Sequence, residues 1–179
     1  MRAAAGLACV ALLVACAPTI EHPAPAGPAF ESGDVRFVAP TGWELREAAR
    51  PTNGPANFFV FLANQPLRDQ CGQAEASCTA PLVDELQPGG MLVIWATRLC
   101  AGQSCNLPSA ALIAIGNRQG VTSPVDSGCE EMPVTERSAY YVTVTPQRVD
   151  ILVVCARDPT DATRSAFLGF LDGIQWRIP

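Results

Sequence analysis

Cysteine is the residue that most constrains how this chain folds, because it occurs eight times in 179 residues. That frequency is high for a cytosolic protein and indicates either an oxidising compartment or a metal site. Short loops close with the least loss of entropy, so neighbouring cysteines are predicted to pair locally and the last two with each other. The predicted disulfides join Cys71 with Cys78, Cys100 with Cys105, and Cys129 with Cys155.

A zinc site is the alternative for these cysteines. Cys100 and Cys105 have the spacing of one arm of such a site, but Cys71 and Cys78 are too far apart for the usual second arm. No histidine lies nearby, and the C-x-x-C motif of redox-active pairs is absent from the sequence. We therefore predict structural disulfides, with neither a metal ion nor a cofactor.

The beginning of the chain has the pattern of an export signal. A positive start is followed by an apolar stretch, residues 3–13, that is too short to span a bilayer. The next residues, Leu13-Val14-Ala15-Cys16, resemble the lipobox of bacterial lipoproteins. The resemblance implies that residues 1–15 are removed and that Cys16 then begins the chain and carries acyl chains such as palmitate. Cys9 lies inside the leader and would leave with it.

An ordinary signal-peptidase site is the alternative reading of this region. Such a site would cut after Ala17 and place Pro18 directly behind the cut, where proline is poorly accepted. Lipidation of Cys16 is therefore the preferred prediction.

Charge restricts the partners of the chain. Its 12 basic residues are all arginine, against 17 acidic residues, so the formal net charge is −5, and loss of Arg2 with the leader makes it more acidic. Neither nucleic acid nor anionic lipid attracts such a protein electrostatically. Membrane attachment is predicted to depend on the acyl chains of Cys16. In a cell with two membranes, Ala17 favours the outer one, because lipoproteins retained at the inner membrane commonly have Asp there.

Composition divides the remaining chain into a tether and one domain. Residues 16–32 are rich in proline and small residues, which favours an extended polyproline II segment. The only histidine, His22, lies there and has no positioned partner for metal binding or proton transfer. Residues 33–179 show no repeat and no further shift in composition, so they are predicted to form a single disulfide-stapled domain.

Apolar runs predict short strands followed by one helix. The strands are expected at residues 35–39, 57–63, 91–96, 112–115, 140–145 and 150–156. The runs at 57–63 and 91–96 do not alternate, which favours strands covered on both faces. Asp158 and Pro159 are predicted to begin the helix, Gly173 to end it, and residues 174–176 to be extended.

Turn residues predict how the strands are connected. Pro40-Thr41-Gly42 suits a type I turn that leads to a core Trp43. Gly116-Asn117 suits a tight hairpin, and Pro146-Gln147-Arg148 suits a hairpin connection. The sheet is therefore expected to be antiparallel at that edge.

Two short motifs suggest a family. Phe37-Val38-Ala39-Pro40-Thr41-Gly42-Trp43 and the stretch from Phe167 to Gly173-Ile174-Gln175-Trp176 resemble the Mog1/PsbP-like superfamily, which includes many exported bacterial lipoproteins of unassigned function. The resemblance implies an α+β fold, an α/β/α sandwich with a twisted, mainly antiparallel sheet of about six strands and the C-terminal helix packed on it. The six cysteines of the domain and the long segment 65–90 depart from that pattern.

The residue inventory disfavours an enzyme. The folded part has neither His nor Lys, so Ser-His-Asp, Cys-His and Ser-Lys mechanisms have no base, and Asp126-Ser127-Gly128 is predicted to be a turn. Carboxylates remain for acid/base hydrolysis, but neighbours on an extended chain point to opposite faces. The four carboxylates considered are Asp84, Glu85, Glu130 and Glu131.

Three residues are candidates for binding. Arg98 and Arg118 follow predicted strands and suit an anionic ligand, although surface arginines are more often simply solvated. Tyr140 belongs to a Tyr-Tyr pair of which one member is expected in the core and the other on a recognition surface.

The leading hypothesis is a non-catalytic, lipid-anchored extracytoplasmic domain that binds another envelope protein through its cysteine-tied loops, residues 71–90 and 100–105. Restrained loops lose little entropy on binding. The alternative is a carrier or sensor of an apolar small molecule held between sheet and helix, which requires a sizeable apolar cavity. A carboxylate-based hydrolase is the third hypothesis.

Overall fold

Strands joined mostly by tight turns make up the described part of the chain. The computed structural model describes residues 27–47, 56–68, 83, 85–100, 104–125, 129 and 132–177. Within them lie ten strands and one helix: β1 (Ala29–Ser32), β2 (Val35–Val38), β3 (Glu44–Glu47), β4 (Ala56–Ala63), β5 (Gly90–Leu99), β6 (Ala111–Ile115), β7 (Arg118–Pro124), β8 (Glu136–Thr145), β9 (Arg148–Arg157), α1 (Asp161–Gly173) and β10 (Gln175–Trp176).

The strands form two antiparallel sheets. The large sheet has seven strands in the order β3-β4-β5-β9-β8-β7-β6, and the small sheet has three in the order β1-β2-β10. The chain is thus mostly β with a C-terminal helix, which agrees with an α+β class in a broad sense. A single sheet of about six strands is not what forms, because β2 pairs with β1 and β10 instead of joining the large sheet.

The predicted strands are present, and several are longer than their apolar runs. The β8–β9 hairpin is antiparallel as expected, but it lies inside the sheet, because β9 also pairs with β5 along ten residues. Strand β3 follows the predicted turn that ends at Trp43, and β7 is the return strand of the predicted Gly116-Asn117 hairpin, but no apolar run marks the bounds of either strand. They are short and polar in part, and each is defined by pairing with a longer neighbour.

The uninterrupted apolar run of β5 is buried on both sides, as predicted. Val93 and Trp95 face the small sheet and helix, where they join a core cluster with Phe37 and Phe170. Leu92 and its neighbour Ile94 face a second cluster. Covering residues in that second cluster include Leu67, Val83, Leu86, Cys129 and Met132. The described residues of segment 65–90 therefore help to cover the second face of the large sheet.

Helix α1 packs its apolar stripe on the large sheet. Phe170 meets the Trp95 ring edge-on at a centroid distance of 6.3 Å, and Phe167 meets Tyr140 at 5.3 Å. The chain leaves the helix at Gly173 and becomes extended through Trp176, as predicted.

The helix begins two residues later than predicted. Thr160 is the N-cap, and its hydroxyl accepts a hydrogen bond from the Thr163 amide at 3.1 Å. Asp158 cannot cap, because its φ of 45° and its amide bond to the Thr135 hydroxyl place it in the preceding turn. Asp161 lies in the first helical turn, where its charge complements the helix dipole.

The turn before Trp43 differs from the predicted type I turn. The Trp43 amide donates to the Pro40 carbonyl at 3.1 Å, so the turn starts at Pro40, and Gly42 has a φ of 78°. Positive φ at the third position defines a type II turn and explains the glycine. Trp43 is buried, as predicted. The Gly116-Asn117 hairpin forms as predicted, with Gly116 at a φ of 54°.

The folded part begins before Gly33. Strand β1 occupies Ala29–Ser32, which the sequence had assigned to the tether, and Phe30 is only 5% exposed within the main core. Cys16, His22 and the leader lie outside the described residues. Among the residues that are described, none belongs to a helix long and apolar enough to cross a bilayer.

Candidate functional site

Two disulfides tie loops to the large sheet. Cys100 bonds to Cys105 with their Cα atoms 5.4 Å apart, and Cys129 bonds to Cys155 with Cα atoms 6.2 Å apart. Both separations lie in the ordinary range for disulfides. These two predicted pairs are confirmed, whereas Cys71 and Cys78 lie outside the described residues.

The Cys100–Cys105 loop is held against the β8–β9 turn. The Cys100 amide donates to the Gln147 carbonyl at 2.9 Å, and the Cys105 amide donates to the Pro146 carbonyl at 2.8 Å. The disulfide and these two backbone bonds fix both ends of the loop at one end of the sheet. Ser104 and Asn106 remain exposed there.

The segment before β5 is also held by side chains of the sheet. Arg157 bonds to the Leu86 carbonyl at 3.0 Å and to the Glu85 carboxylate at 2.6 Å. Asn64 bonds to the Gly89 carbonyl at 2.9 Å. Glu85, a candidate acid/base residue, is thus in an ion pair, and Asp84, Glu130 and Glu131 lie outside the described residues.

A small cleft lies between α1 and the large sheet. Its volume is about 160 Å³, and it is lined mainly by apolar side chains with a charged rim. The lining residues are Met91, Glu136, Ser138, Tyr140, Val154, Ala156, Arg164, Phe167 and Leu168. Tyr140, a predicted binding residue, is therefore part of this cleft.

The charged rim of the cleft is an ion pair between β8 and α1. Arg164 holds both carboxylate oxygens of Glu136, with one of the bonds 2.6 Å long. The hydrogen bond from Arg164, together with the positive charge of Arg164, lowers the pKa of Glu136 against the opposing effect of burial. The same bond raises the pKa of Arg164.

The predicted arginines do not converge with Tyr140. Arg98 is exposed on β5, and strand alternation places it on the sheet face opposite Trp95, while Tyr140 packs on the core on the Trp95 side. Arg118 begins β7 opposite Ile115. Since β5 and β7 are separated by β9 and β8, the three residues do not form one site.

A buried carboxylate is the polar feature that the sequence did not reveal. Asp150 on β9 is fully buried and accepts hydrogen bonds from Thr97 at 2.9 Å and from the Trp176 indole at 3.2 Å. Arg148 donates to the same carboxylate at 3.1 and 3.2 Å. The same guanidinium reaches Asp34 at 2.8 and 2.9 Å.

This network connects the two sheets. Asp34 lies in the β1–β2 turn and Trp176 in β10, whereas Thr97 and Asp150 belong to the large sheet. Burial lowers the pKa of Arg148, but the charge of Asp150 and the hydrogen bonds with both carboxylates outweigh it and raise that pKa. Each guanidinium nitrogen of Arg148, the Thr97 hydroxyl and the Trp176 indole has a carboxylate acceptor, so the network ties the two sheets together. The only signal in the sequence was an acidic residue between Val149 and Ile151, at the start of the strand predicted for residues 150–156.

The described residues contain no cluster of three or more His, Cys, Asp or Glu side chains that could hold a metal ion. Comparison with protein families, with curated proteins and with solved structures finds no match to this chain. Its function must therefore be inferred from its own residues.

Proposed function

We propose that the protein is a non-catalytic, lipid-anchored extracytoplasmic domain that binds another protein of the cell envelope. The observation that carries the proposal is the Cys100–Cys105 loop, which is closed by a disulfide and held by two backbone bonds to the β8–β9 turn. A loop fixed in this way loses little conformational entropy when a partner binds.

The chemistry of this loop suits protein recognition. No charged residue occurs between Arg98 and Arg118, so a partner does not have to desolvate an ion there. The exposed Ser104 and Asn106 offer hydrogen-bonding groups at the restrained position. Disulfides are also typical of exported proteins, which supports the export signal and acylated Cys16 that this proposal includes.

The finer architecture belongs to the same proposal. Membership in the Mog1/PsbP-like superfamily rests on the two sequence motifs, and the antiparallel sheets with a C-terminal helix agree with it only at the level of an α+β class. The α/β/α sandwich of that family requires a second helical layer on the face formed by Leu92 and Ile94. A crystal structure of the whole domain with a helix on that face would support this layer, and one without such a helix would contradict it.

Charge insertion into the loop tests partner binding. We expect Ser104→Arg with Asn106→Arg to remove partners from the set recovered by cross-linking on intact cells, at unchanged abundance of the protein. The control is Glu47→Arg, an exposed substitution on β3 away from the loop. An identical set of cross-linked partners for the loop variant, the control and the wild type would contradict the proposal.

A second candidate function is favoured by the cleft at Tyr140. Its volume of about 160 Å³ is below the roughly 300 Å³ of ordinary small-molecule pockets, so it suits only a small apolar group. Titration with indole, followed by amide chemical shifts, is expected to move Ser138, Tyr140 and Leu168 if the cleft binds such groups. Unchanged shifts at these amides would remove this candidate.

A further inference from the structure

The two edges of the large sheet differ in how they are protected. Edge strands expose unpaired backbone groups, and proteins commonly block unwanted pairing with charged side chains, proline or bulges. Strand β3 at one edge carries three charges in four residues, Glu44, Arg46 and Glu47. Strand β6 at the other edge, Ala111–Ile115, has no charge and no proline, and its pairing with β7 is regular.

The register shows which backbone groups of β6 point outward. Ile115 pairs with Arg118 across the two-residue hairpin, which makes them a hydrogen-bonded pair, and bonded pairs alternate along an antiparallel ladder. Ile113 and Ala111 therefore also bond to β7. The N–H and C=O groups of Leu112 and Ala114 face away from the sheet, and in the described ranges no turn, loop or cap bond uses them.

The side chains on this strand are suited to pairing with an identical strand. Leu112 is 71% exposed, the highest value among the large apolar residues of the described chain, and Ala114 two positions away is small. In an antiparallel pair centred on Ile113, Leu112 of each copy lies opposite Ala114 of the other. A large side chain is thus matched with a small one on both sides of the two-fold axis.

We propose that two copies of this chain associate through β6, which pairs antiparallel with β6 of the second copy about a two-fold axis at Ile113. Leu112 and Ala114 then form two bonded pairs, each exchanging two backbone hydrogen bonds. A closed, isologous contact of this kind satisfies the β6 edges of both copies at once and leaves only the charged β3 strands as edges of the joined sheet. The large sheets of the two copies become continuous.

Two features of β6 favour a second copy of the chain as its partner over an unrelated strand. The strand has no charged residue, and its Leu112 and Ala114 complement each other in an antiparallel pair. The Ile174 carbonyl lies against Gly116, so the turn after β6 is already occupied on that side. The ladder shared by the two copies is therefore limited to the five residues of β6. So short a ladder gives weak association in solution. Where the chain is held on a membrane, as in the proposed function, confinement raises the effective concentration of the two copies.

Cysteine trapping in cells that produce the full chain tests the register. We expect Ile113→Cys to give a disulfide-linked homodimer under mild oxidation, because Ile113 faces its own copy across the axis. Ala114→Cys is the matched control and is expected to remain monomeric, since it faces Leu112. Adding Leu112→Lys to Ile113→Cys is expected to abolish the dimer at equal abundance, because it places a lysine in each half of the contact.

Several outcomes would overturn the proposal. Equal trapping of Ile113→Cys and Ala114→Cys would indicate random collision, and an adduct with a different protein would assign the edge to another occupant. Absence of a dimer with Ile113→Cys would also contradict it, provided that the variant is folded.

Sedimentation of the purified full chain covers the case in which the cysteine variant does not fold. The protein without added cysteine is expected to self-associate, and Leu112→Lys is expected to weaken the association about tenfold or more, whereas Leu168→Lys on α1 is not. Concentration-independent monomers would overturn the proposal. This measurement needs neither the envelope partner nor export, so its failure is distinguishable from failure of the proposed function.

Discussion

Asp150 shows how a buried charge becomes part of a stable core. It has no exposed surface, yet Thr97, Arg148 and Trp176 together satisfy its carboxylate. Removing one partner from such a network leaves the others buried and unsatisfied, which costs more than the network itself contributes. Loss of Asp150 is expected to destabilise the contact between the two sheets, because its hydrogen-bond donors come from β5, β9 and β10.

We predict that Asp150→Asn lowers the free energy of unfolding by about 2 to 4 kcal/mol. The amide keeps the shape of the side chain but removes the charge that Arg148 requires. Urea denaturation with the disulfides intact measures the change. The control is Asp172→Asn, an exposed position on α1, which should change stability by no more than about 0.5 kcal/mol. Equal effects of the two substitutions would contradict the role of Asp150.

The Glu136–Arg164 pair predicts a pH dependence at the residue scale. Arg164 lowers the pKa of Glu136 in the folded state below its usual value of 4.5. Stability from this pair is therefore complete above the unfolded pKa and is lost as the pH falls through the lower folded pKa.

We expect Glu136→Gln to flatten the fall in melting temperature between neutral and acidic pH. The effect is small, because both side chains are about half exposed. Glu47→Gln, which removes an exposed carboxylate from β3, serves as the comparison. A profile of Glu136→Gln identical to that of the wild type would show that the pair is not linked to folding.

The start of α1 gives a prediction at the scale of an element. Thr160→Ala removes the cap on the Thr163 amide and is expected to cost about 1 kcal/mol. Asp158→Gly is expected to be neutral or stabilising, because glycine adopts the φ of 45° found there without strain. Thermal denaturation of the two variants shows which residue caps the helix. A larger loss of stability for the Asp158 variant than for the Thr160 variant would indicate that Asp158 is the N-cap, as the sequence suggested.

The two described disulfides should differ in their contribution to stability. Cys129 and Cys155 are 26 residues apart, and Cys100 and Cys105 are 5 apart. Loop-closure entropy predicts losses of about 3.5 and 2 kcal/mol when each pair is replaced by alanine. Guanidinium denaturation of the two double variants measures the difference. A larger loss at the short loop would show that its bonds to the β8–β9 turn dominate over chain entropy.

Local patterns predicted the elements better than the connections between them. The unbroken run of β5 identified a strand buried on both faces, and Gly173 identified the end of the helix. Pairing across long sequence distances was not visible: β2 joins β10 from the opposite end of the domain. The same reason explains which contacts at the candidate site could be predicted. Cys100 and Cys105 are close in sequence, so their disulfide was predictable, whereas Asp150 meets Thr97 and Trp176 only in the folded chain.

The acidic body and the proposed lipid anchor lead to a prediction for the whole molecule. With a formal net charge of −5, the protein gains no electrostatic attraction from anionic lipid, so in the proposed lipid-anchored form the acyl chains on Cys16 would supply the binding energy. The wild type and Cys9→Ser are expected to incorporate labelled palmitate and to lose residues 1–15, whereas Cys16→Ser should incorporate none. The purified acylated protein should then float equally with neutral and with anionic vesicles. Palmitate in Cys16→Ser, or flotation that increases with the anionic fraction, would show that another part of the chain binds the membrane.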